Sequence, residues 1–325
     1  MDKSNTLKRP HEKIRLAIVC PCYNEHEALP ISAGLLRNLM DSMVNEGLVA
    51  ADSYVLWVND GSRDNTWEII KNLHAADPLF HGLNLAHNVG HQNAIMAGML
   101  ESVDTADAVV TIDADLQDDI MAIPRMVRQY YDGYDVVYGV KVSRVADPPM
   151  KRFTAQMFYK LMKRFGVETI YNHADFRFMS KRVVMELARY GERNLYLRGI
   201  IPMIGFPSTT VEDVISERKA GQSKYTLTKM LTLAMNGITS FSITPIYAII
   251  GLGGVFLLTS IFIGIYVLVS LISGNAEHGW SSLMLSIWFV GGMILLSLGV
   301  VGLYVGRVYV ESKQRPLYHI QDRLS

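Results

Sequence analysis

The chain has 325 residues, of which half are hydrophobic and 19% charged, with 31 Lys+Arg against 31 Asp+Glu and a mean hydropathy of +0.17. A formal net charge of zero excludes a nucleic-acid binder working through bulk positive charge, and equally an acidic disordered chain. Two cysteines cannot build the disulfide framework of a small secreted domain.

The charged fraction lies below the roughly 25% usual for soluble proteins, and the deficit sits in one place. Between Phe241 and Gly306, a stretch of 66 residues, Glu277 is the only Asp, Glu, Lys or Arg; 61 of the other 259 residues are charged. The average therefore hides an ordinary charged domain joined to a nearly charge-free tail.

Met1 to Lys13 is polar, without the apolar core of a cleavable signal peptide. Apolar runs bounded by turn residues then predict strands at Arg15–Cys20, Tyr54–Val58, Gly82–Ala86, Ala108–Ile112 and Asp135–Tyr138. Helical patterns fall between them at Leu29–Asn45, Thr66–Ala76, Gln92–Glu101 and Met121–Tyr131. This alternation predicts an α/β domain with a mainly parallel sheet covered on both faces. Ligands of such sheets bind beyond the carboxyl ends of the strands, and the polar signatures lie there.

The first strand runs into Cys20-Pro21-Cys22-Tyr23-Asn24-Glu25, and the second into Val58-Asn59-Asp60-Gly61-Ser62-Arg63-Asp64-Asn65-Thr66. Gly61 permits a tight turn, and Asp64 or Asn65 can cap the next helix, leaving Asp60 to accept hydrogen bonds from a ligand or to stabilise the turn. Cys20 and Cys22 suit neither a disulfide nor a zinc knuckle and read as packing residues. The fourth strand runs into Thr111-Ile-Asp113-Ala-Asp115-Leu-Gln117-Asp118-Asp119. Asp113 and Asp115, two apart at a strand end, should point the same way. Two such carboxylates repel unless a hard divalent cation, Mg²⁺ or Mn²⁺, sits between them.

After about residue 140 the pattern changes. Lys151–Phe165 and Lys224–Asn236 read as basic amphipathic helices that could lie in a membrane interface. Ile243–Leu271 and Leu283–Leu303 are long enough to cross about 30 Å of hydrocarbon at about 1.5 Å per residue. Their connector, Ser273 to Trp280, holds no Lys or Arg, whereas Arg218, Lys219, Lys224 and Lys229 precede the first span and Arg307, Lys313, Arg315 and Arg323 follow the second. The positive-inside rule then places the large domain and both termini in the cytoplasm.

Together, P-x-Y-N-E, V-N-D-G-S-x-D-x-T and D-A-D-L-Q resemble the signatures of family 2 glycosyltransferases with the GT-A fold. Three more segments narrow the resemblance: Asn88-Val-Gly90-His91-Gln92 with Ala97-Gly98; Ala174-Asp175-Phe176-Arg177-Phe178-Met179; and Leu197-Arg198-Gly199 with Arg218 to Tyr225. With the two-span tail, the chain is similar to the polyprenyl-phosphate glycosyltransferases, the bactoprenol glucosyltransferase and dolichol-phosphate mannosyltransferase type. The resemblance runs from about Ile14 to Arg315. It implies a Rossmann-like GT-A domain at 14–220, a juxtamembrane amphipathic helix at 221–240, two transmembrane helices within 241–306 and a cytoplasmic tail at 307–325.

The resemblance also implies roles. Pro21, Tyr23, Glu25 and Asp60 would hold the base and ribose of a nucleotide-sugar, and Asp113, Asp115 and Gln117 a metal on its diphosphate. Asp175 would stand near the sugar and acceptor as base or orienting group, and Arg177, Arg198, Arg218 and Lys224 would grip a lipid phosphate. The expected reaction is inverting, metal-dependent transfer from UDP-glucose to undecaprenyl phosphate, for cell-envelope glycan modification. UDP-GlcNAc, UDP-galactose and GDP-mannose are alternative donors, and a non-catalytic nucleotide-sugar scaffold is the alternative role. Relatives imply a homo-oligomer, a tetramer, in the inner membrane. Many relatives carry Pro-Pro after D-L-Q-D where this chain has Asp119-Ile120, so its loop path there stays open. No Q-x-x-R-W motif of a processive synthase, no Gly-Lys pair of a P-loop and no His-Glu-x-x-His occurs.

Overall fold

The computed structural model describes residues 12–141, 173–192, 196–213, 244–273 and 279–325. The expected amphipathic helices at Lys151–Phe165 and Lys224–Asn236, with Arg218 and Lys224, lie outside the described residues. In chain order the elements are β1 (Leu16–Cys22), α1 (Leu29–Asn45), β2 (Tyr54–Asn59), α2 (Thr66–Ala76), β3 (Phe80–Leu85), α3 (His91–Ser102), β4 (Ala108–Thr111), α4 (Ala122–Tyr131) and β5 (Val136–Lys141). There follow β6 (His173–Ser180), α5 (Lys181–Leu187), α6 (Leu197–Ile204), β7 (Ser208–Asp213), α7 (Thr244–Ile272), α8 (Trp280–Ser312) and β8 (Ile320–Leu324).

The first of two compact units carries one sheet in the order β7-β5-β6-β4-β1-β2-β3-β8. β1, β2, β3 and β4 are parallel neighbours, and β7 runs parallel to β5. This is the GT-A-like α/β arrangement expected. Every residue of β1 and β2 is buried, as continuous apolar runs require when helices cover both faces. α1 begins with Pro at its first turn, where the missing N–H costs nothing, and turns Leu29, Ala33, Leu36 and Met40 to the core.

Two strands run against the rest. β6 pairs antiparallel with both β4 and β5, and β8 antiparallel with β3. β8 covers the edge of β3, which would otherwise present unpaired backbone groups. A ladder of polar side chains crosses there: Asn59 Nδ2 donates to Asn84 Oδ1 at 2.7 Å, and Asn84 Nδ2 to Asp322 Oδ2 at 2.9 Å. The stretch expected to be a plain tail thus contributes the last turns of α8 and an edge strand.

The second unit contains α7 and α8. The rings of Phe256 and Phe289 join them with centroids 5.0 Å apart. Two spans are expected from the sequence. Among the described residues, one helical stretch, Phe289–Ser312, is long and apolar enough to cross a membrane, and α7 offers a shorter apolar stretch at Ile249–Ile263.

α3 packs closely over β1 and β2 because Gly98 has no side chain. A Cβ there would stand 2.4 Å from Val19 Cγ1 and 2.8 Å from Val58 Cγ2. Gly98→Ala should therefore lower the thermal midpoint, by the equivalent of roughly 1–3 kcal/mol of overpacking. Val19→Ala in the same chain should restore part of the loss.

Candidate active site

β1 lies between β2 and β4, so the chain leaves the two sides of β1 in opposite directions and opens a crevice at the carboxyl ends of these strands. A cleft of about 410 Å³ occupies that place. Pro21 lines it from β1, Tyr23 and Glu25 from the segment after it, Asp60 from just past β2, Asn88 and Gly90 from the turn before α3, His91 from the first residue of α3, and Asp113 and Asp115 from the loop after β4. Residues spread over 95 positions of sequence are gathered because each lies at or beyond the carboxyl end of a parallel strand.

Asp60 is buried, and both of its carboxylate oxygens are already engaged. Val89 N–H donates to Oδ1 at 2.7 Å and Gly90 N–H to Oδ2 at 3.1 Å. Burial raises its pKa and these two amides oppose the rise. Asp60 therefore shapes the turn before α3 as well as facing the cleft, so turn-building and ligand-facing roles coincide in it. Gly61 makes the approach possible: it has φ +61, and a Cβ would meet the backbone of Asn88 at 2.5 Å. Asp64 stands one residue ahead of the Asn65 N-cap of α2, its Oδ1 accepting from Thr66 N at 3.0 Å. Thr66 Oγ1 in turn accepts from Glu25 N at 3.0 Å. Cys20 and Cys22 are free and buried, consistent with packing.

β4 ends at Thr111, so Asp113 and Asp115 stand on a loop and the strand-alternation argument for their common direction does not apply. They share the cleft because the loop turns back through Leu116, whose φ is +44. Burial, followed by the carboxylates of Asp118, Asp175 and Asp115, pushes Asp113 up to about 6 against the pull of His91. Since 52% of its side chain is exposed, the neighbouring carboxylates account for the upward direction more than burial does. Gln117 Nε2 donates to Asp115 Oδ2, which puts the Gln117 side-chain amide beside the Asp115 carboxylate. Hard oxygen donors of this kind fit Mg²⁺ or Mn²⁺ with substrate oxygens completing the shell. Among the described residues no group of three His, Cys, Asp or Glu could close a site without them.

Asp175 sits on β6, a strand absent from the sequence expectation. Its carboxylate accepts from Arg198 Nε at 3.3 Å and Nη2 at 3.1 Å, from Gln92 Nε2 at 3.2 Å and from Arg177 Nη2. His91 Nε2 lies 3.5 Å from Asp175 Oδ2 and 3.5 Å from Asp113 Oδ1, bridging the two carboxylates. Thr111 Oγ1 donates to the Asp175 carbonyl at 2.5 Å. Burial alone would raise Asp175, but Arg198, the His91 hydrogen bond and Arg177 together hold it well below the usual range. His91 moves the other way: burial lowers it, Asp175 and Asp113 outweigh that, and the net shift is upward.

The two arginines differ in reach. Arg177 is 1% exposed, between Thr111 of β4 and Tyr138 of β5 in the register, and its Nε and Nη1 meet no acceptor among the described residues. Arg198, at the start of α6, keeps 28% of its side chain exposed. Gln92 ties these elements together: its amide donates to Asp175, and its Oε1 accepts from Leu197 N at 3.1 Å. His91 and Gln92 were visible in the sequence as N-V-G-H-Q, yet nothing local showed that they would meet Asp175, 83 residues away from Gln92.

A profile of the family described as Glycosyl transferase family 2 matches residues 17–188. The chain is 47% identical over 305 residues to an uncharacterized glycosyltransferase, YkoT, of Bacillus subtilis, an alignment covering 94% of this chain and 90% of that one. It is 38% identical over 312 residues to the bactoprenol glucosyl transferase of Shigella phage SfX, covering 95% and 100%. It is 37% identical over 310 residues to the prophage bactoprenol glucosyl transferase homolog of Escherichia coli K12, covering 95% and 99%.

Removing the Asp175 charge leaves Arg177 buried without its counter-ion. Asp175→Asn should destabilise the fold by about 3–5 kcal/mol, whereas Arg177→Met, which removes a buried charge while Asp175 keeps Arg198 and Gln92, should cost less. Because the Asp175 pKa is depressed, its contribution is complete above the ordinary value of 3.8 and is lost only as pH falls through its own lower pKa. Because His91 is raised by the same carboxylate, the interval between the thermal midpoints of wild type and Asp175→Asn should widen as pH falls from about 8 to about 5, and close only on stronger acidification through the lowered Asp175 pKa.

Proposed function

Because the chain belongs to glycosyl transferase family 2 and is a glycosyltransferase, we propose that it moves a hexose from a nucleotide-sugar to a polyprenyl phosphate at a membrane surface. UDP-glucose is the first donor to test and undecaprenyl phosphate the first acceptor, in keeping with the bactoprenol glucosyl transferases that the chain resembles along nearly all its length. The observation that carries the reading is the pairing of two sites in one crevice. A carboxylate-lined cleft lies at the ends of β1, β2 and β4, and the Asp175–Arg198 ion pair adjoins it through His91.

Pro21, Tyr23, Glu25 and Asp60 hold the base and ribose. Asp113, Asp115 and the Gln117 carbonyl hold Mg²⁺ or Mn²⁺, which supplies Lewis-acid stabilisation to a departing nucleoside diphosphate. The acceptor phosphate is already anionic near neutral pH, so its oxygen can attack the anomeric carbon, on the face opposite the bond to the diphosphate, without losing a proton. Inversion of an α-linked donor to a β-linked product follows from that line of attack. Asp175 orients and does not act as a base: its oxygens accept from Arg198, Gln92 and Arg177, and its depressed pKa makes it a poor proton acceptor. Arg198 is the partly exposed cation that meets the acceptor phosphate, with Arg218 and Lys224 assigned to the same task. Arg177 serves from below by fixing Asp175.

α7 and α8, with the Lys and Arg residues that flank the charge-poor stretch, keep the domain at the cytoplasmic face of the inner membrane, where the acceptor's hydrocarbon remains in the bilayer. A homo-oligomer, a tetramer, belongs to the same reading.

A panel of UDP-glucose, UDP-galactose, UDP-GlcNAc and GDP-mannose, assayed with polyprenyl phosphate and Mn²⁺ or Mg²⁺, should give lipid-linked sugar with one donor well above the rest. Asp115→Asn should reduce turnover on the order of a hundredfold or more. Arg198→Ala should raise the KM for polyprenyl phosphate roughly tenfold or more, as expected for a lost charged hydrogen bond, and leave UDP affinity unchanged. A folded wild-type protein that makes no product with any donor would sink the reading.

A further inference from the structure

We propose that Asp213, at the end of β7, is a positioning residue that sets the path of the loop bearing Asp113, Asp115 and Gln117. The inference rests on the metal-dependent reading above and adds to it a residue nearly one hundred positions away in sequence.

Asp213 is fully buried, and its Oδ1 accepts from the Asp119 N–H at 2.7 Å. Asp119 is tied to the same strand a second time: its Oδ2 accepts from Arg125 Nη2 at 2.8 Å, and that nitrogen also donates to the Glu212 carbonyl at 2.7 Å. Asp118, one residue earlier, is buried with its Oδ1 3.0 Å from Lys141 Nζ. Lys141 ends β5 and stands opposite Asp213 in the β5–β7 register. Two consecutive residues after Gln117 are thus fastened to the ends of two neighbouring strands.

The fastening has something to hold. Leu116 carries a positive φ of +44, a conformation that side chains other than Gly seldom adopt. A loop bent there needs an anchor on its far side if Asp113 and Asp115 are to stay turned into the cleft. The residue at 119 supplies an N–H, which a proline at that position could not, so this chain secures the loop by a hydrogen bond to β7. A role limited to packing would favour an apolar residue at 213, since the buried Asp213 carboxylate also faces the carboxyl group of Asp118, with Lys141 answering both.

The test is Mn²⁺ affinity, read by electron paramagnetic resonance on the full-length protein with UDP present and no acceptor, so that turnover plays no part. Asp213→Ala should weaken Mn²⁺ binding on the order of tenfold or more, the usual effect of removing a group that supports a metal ligand. Asp213→Asn keeps an oxygen for the Asp119 N–H and should bind Mn²⁺ nearly as wild type. UDP affinity measured in EDTA should be the same in all three. Arg125→Ala, on the solvent side of the loop, should give a smaller loss in the same direction and provides the answer if Asp213→Ala does not fold. Wild-type Mn²⁺ affinity in folded Asp213→Ala, or in Arg125→Ala where that must stand in, overturns the inference. So does an equal loss in Asp213→Ala and Asp213→Asn. A wild-type protein that binds no Mn²⁺ overturns the metal-dependent reading and the inference with it.

Discussion

The structure around the cleft depends on how one buried negative charge is answered. Asp175 has 11% of its side chain exposed, and a carboxylate in that setting persists only with cations and hydrogen-bond donors around it. They come from separate parts of the chain: Arg177 from its own strand, Arg198 from the start of α6, and Gln92 and His91 from the start of α3. Satisfying Asp175 therefore fixes where α3 begins relative to β6 and α6. It also fixes His91 beside Asp113, and so joins the two halves of the crevice. Thr111, holding the Asp175 carbonyl, adds β4 to the same arrangement.

In the proposed reaction the charges divide the chemical work. Carboxylates collect at the ends of β1, β2 and β4, where a cation-borne diphosphate can be held, and guanidinium groups collect around Asp175, where a second anion can approach. An anionic nucleophile removes the need for a strong base, and a carboxylate surrounded by donors is suited to holding geometry rather than taking a proton. His91, in contact with both sets, is the physical link between them.

Much of this was legible in the sequence where one local signal was enough. β1 to β5 and α1 to α4 were expected within a few residues of their observed bounds, because buried parallel strands are continuous apolar runs ending in turn residues. Pro21, Tyr23, Glu25, Asp60, Asp113 and Asp115 were expected in one site and all line the cleft. β6 escaped because the charged Asp175 and Arg177, read as site residues, interrupt its apolar pattern, although inside the fold they answer each other's charge. β8 escaped because Ile-Gln-Asp-Arg-Leu is short and polar, as edge strands often are. The tether between Asp119 and Asp213 could not be read at all. It depends on a backbone N–H and on a strand 94 residues away.

β8 also bears on how the molecule comes into being. Asn84 and Asp322 are 238 residues apart, and the chain between them includes both long apolar helices. During synthesis the cleft-forming strands emerge long before the strand that finishes their sheet. The edge of β3 must wait, its backbone unpaired, while α7 and α8 are made. An open edge is a site for pairing with the wrong chain, and contacts this distant form late. For this protein, the interval between making β3 and making β8 is the period of greatest exposure to misassembly. It ends only when the ladder from Asn59 through Asn84 closes on Asp322.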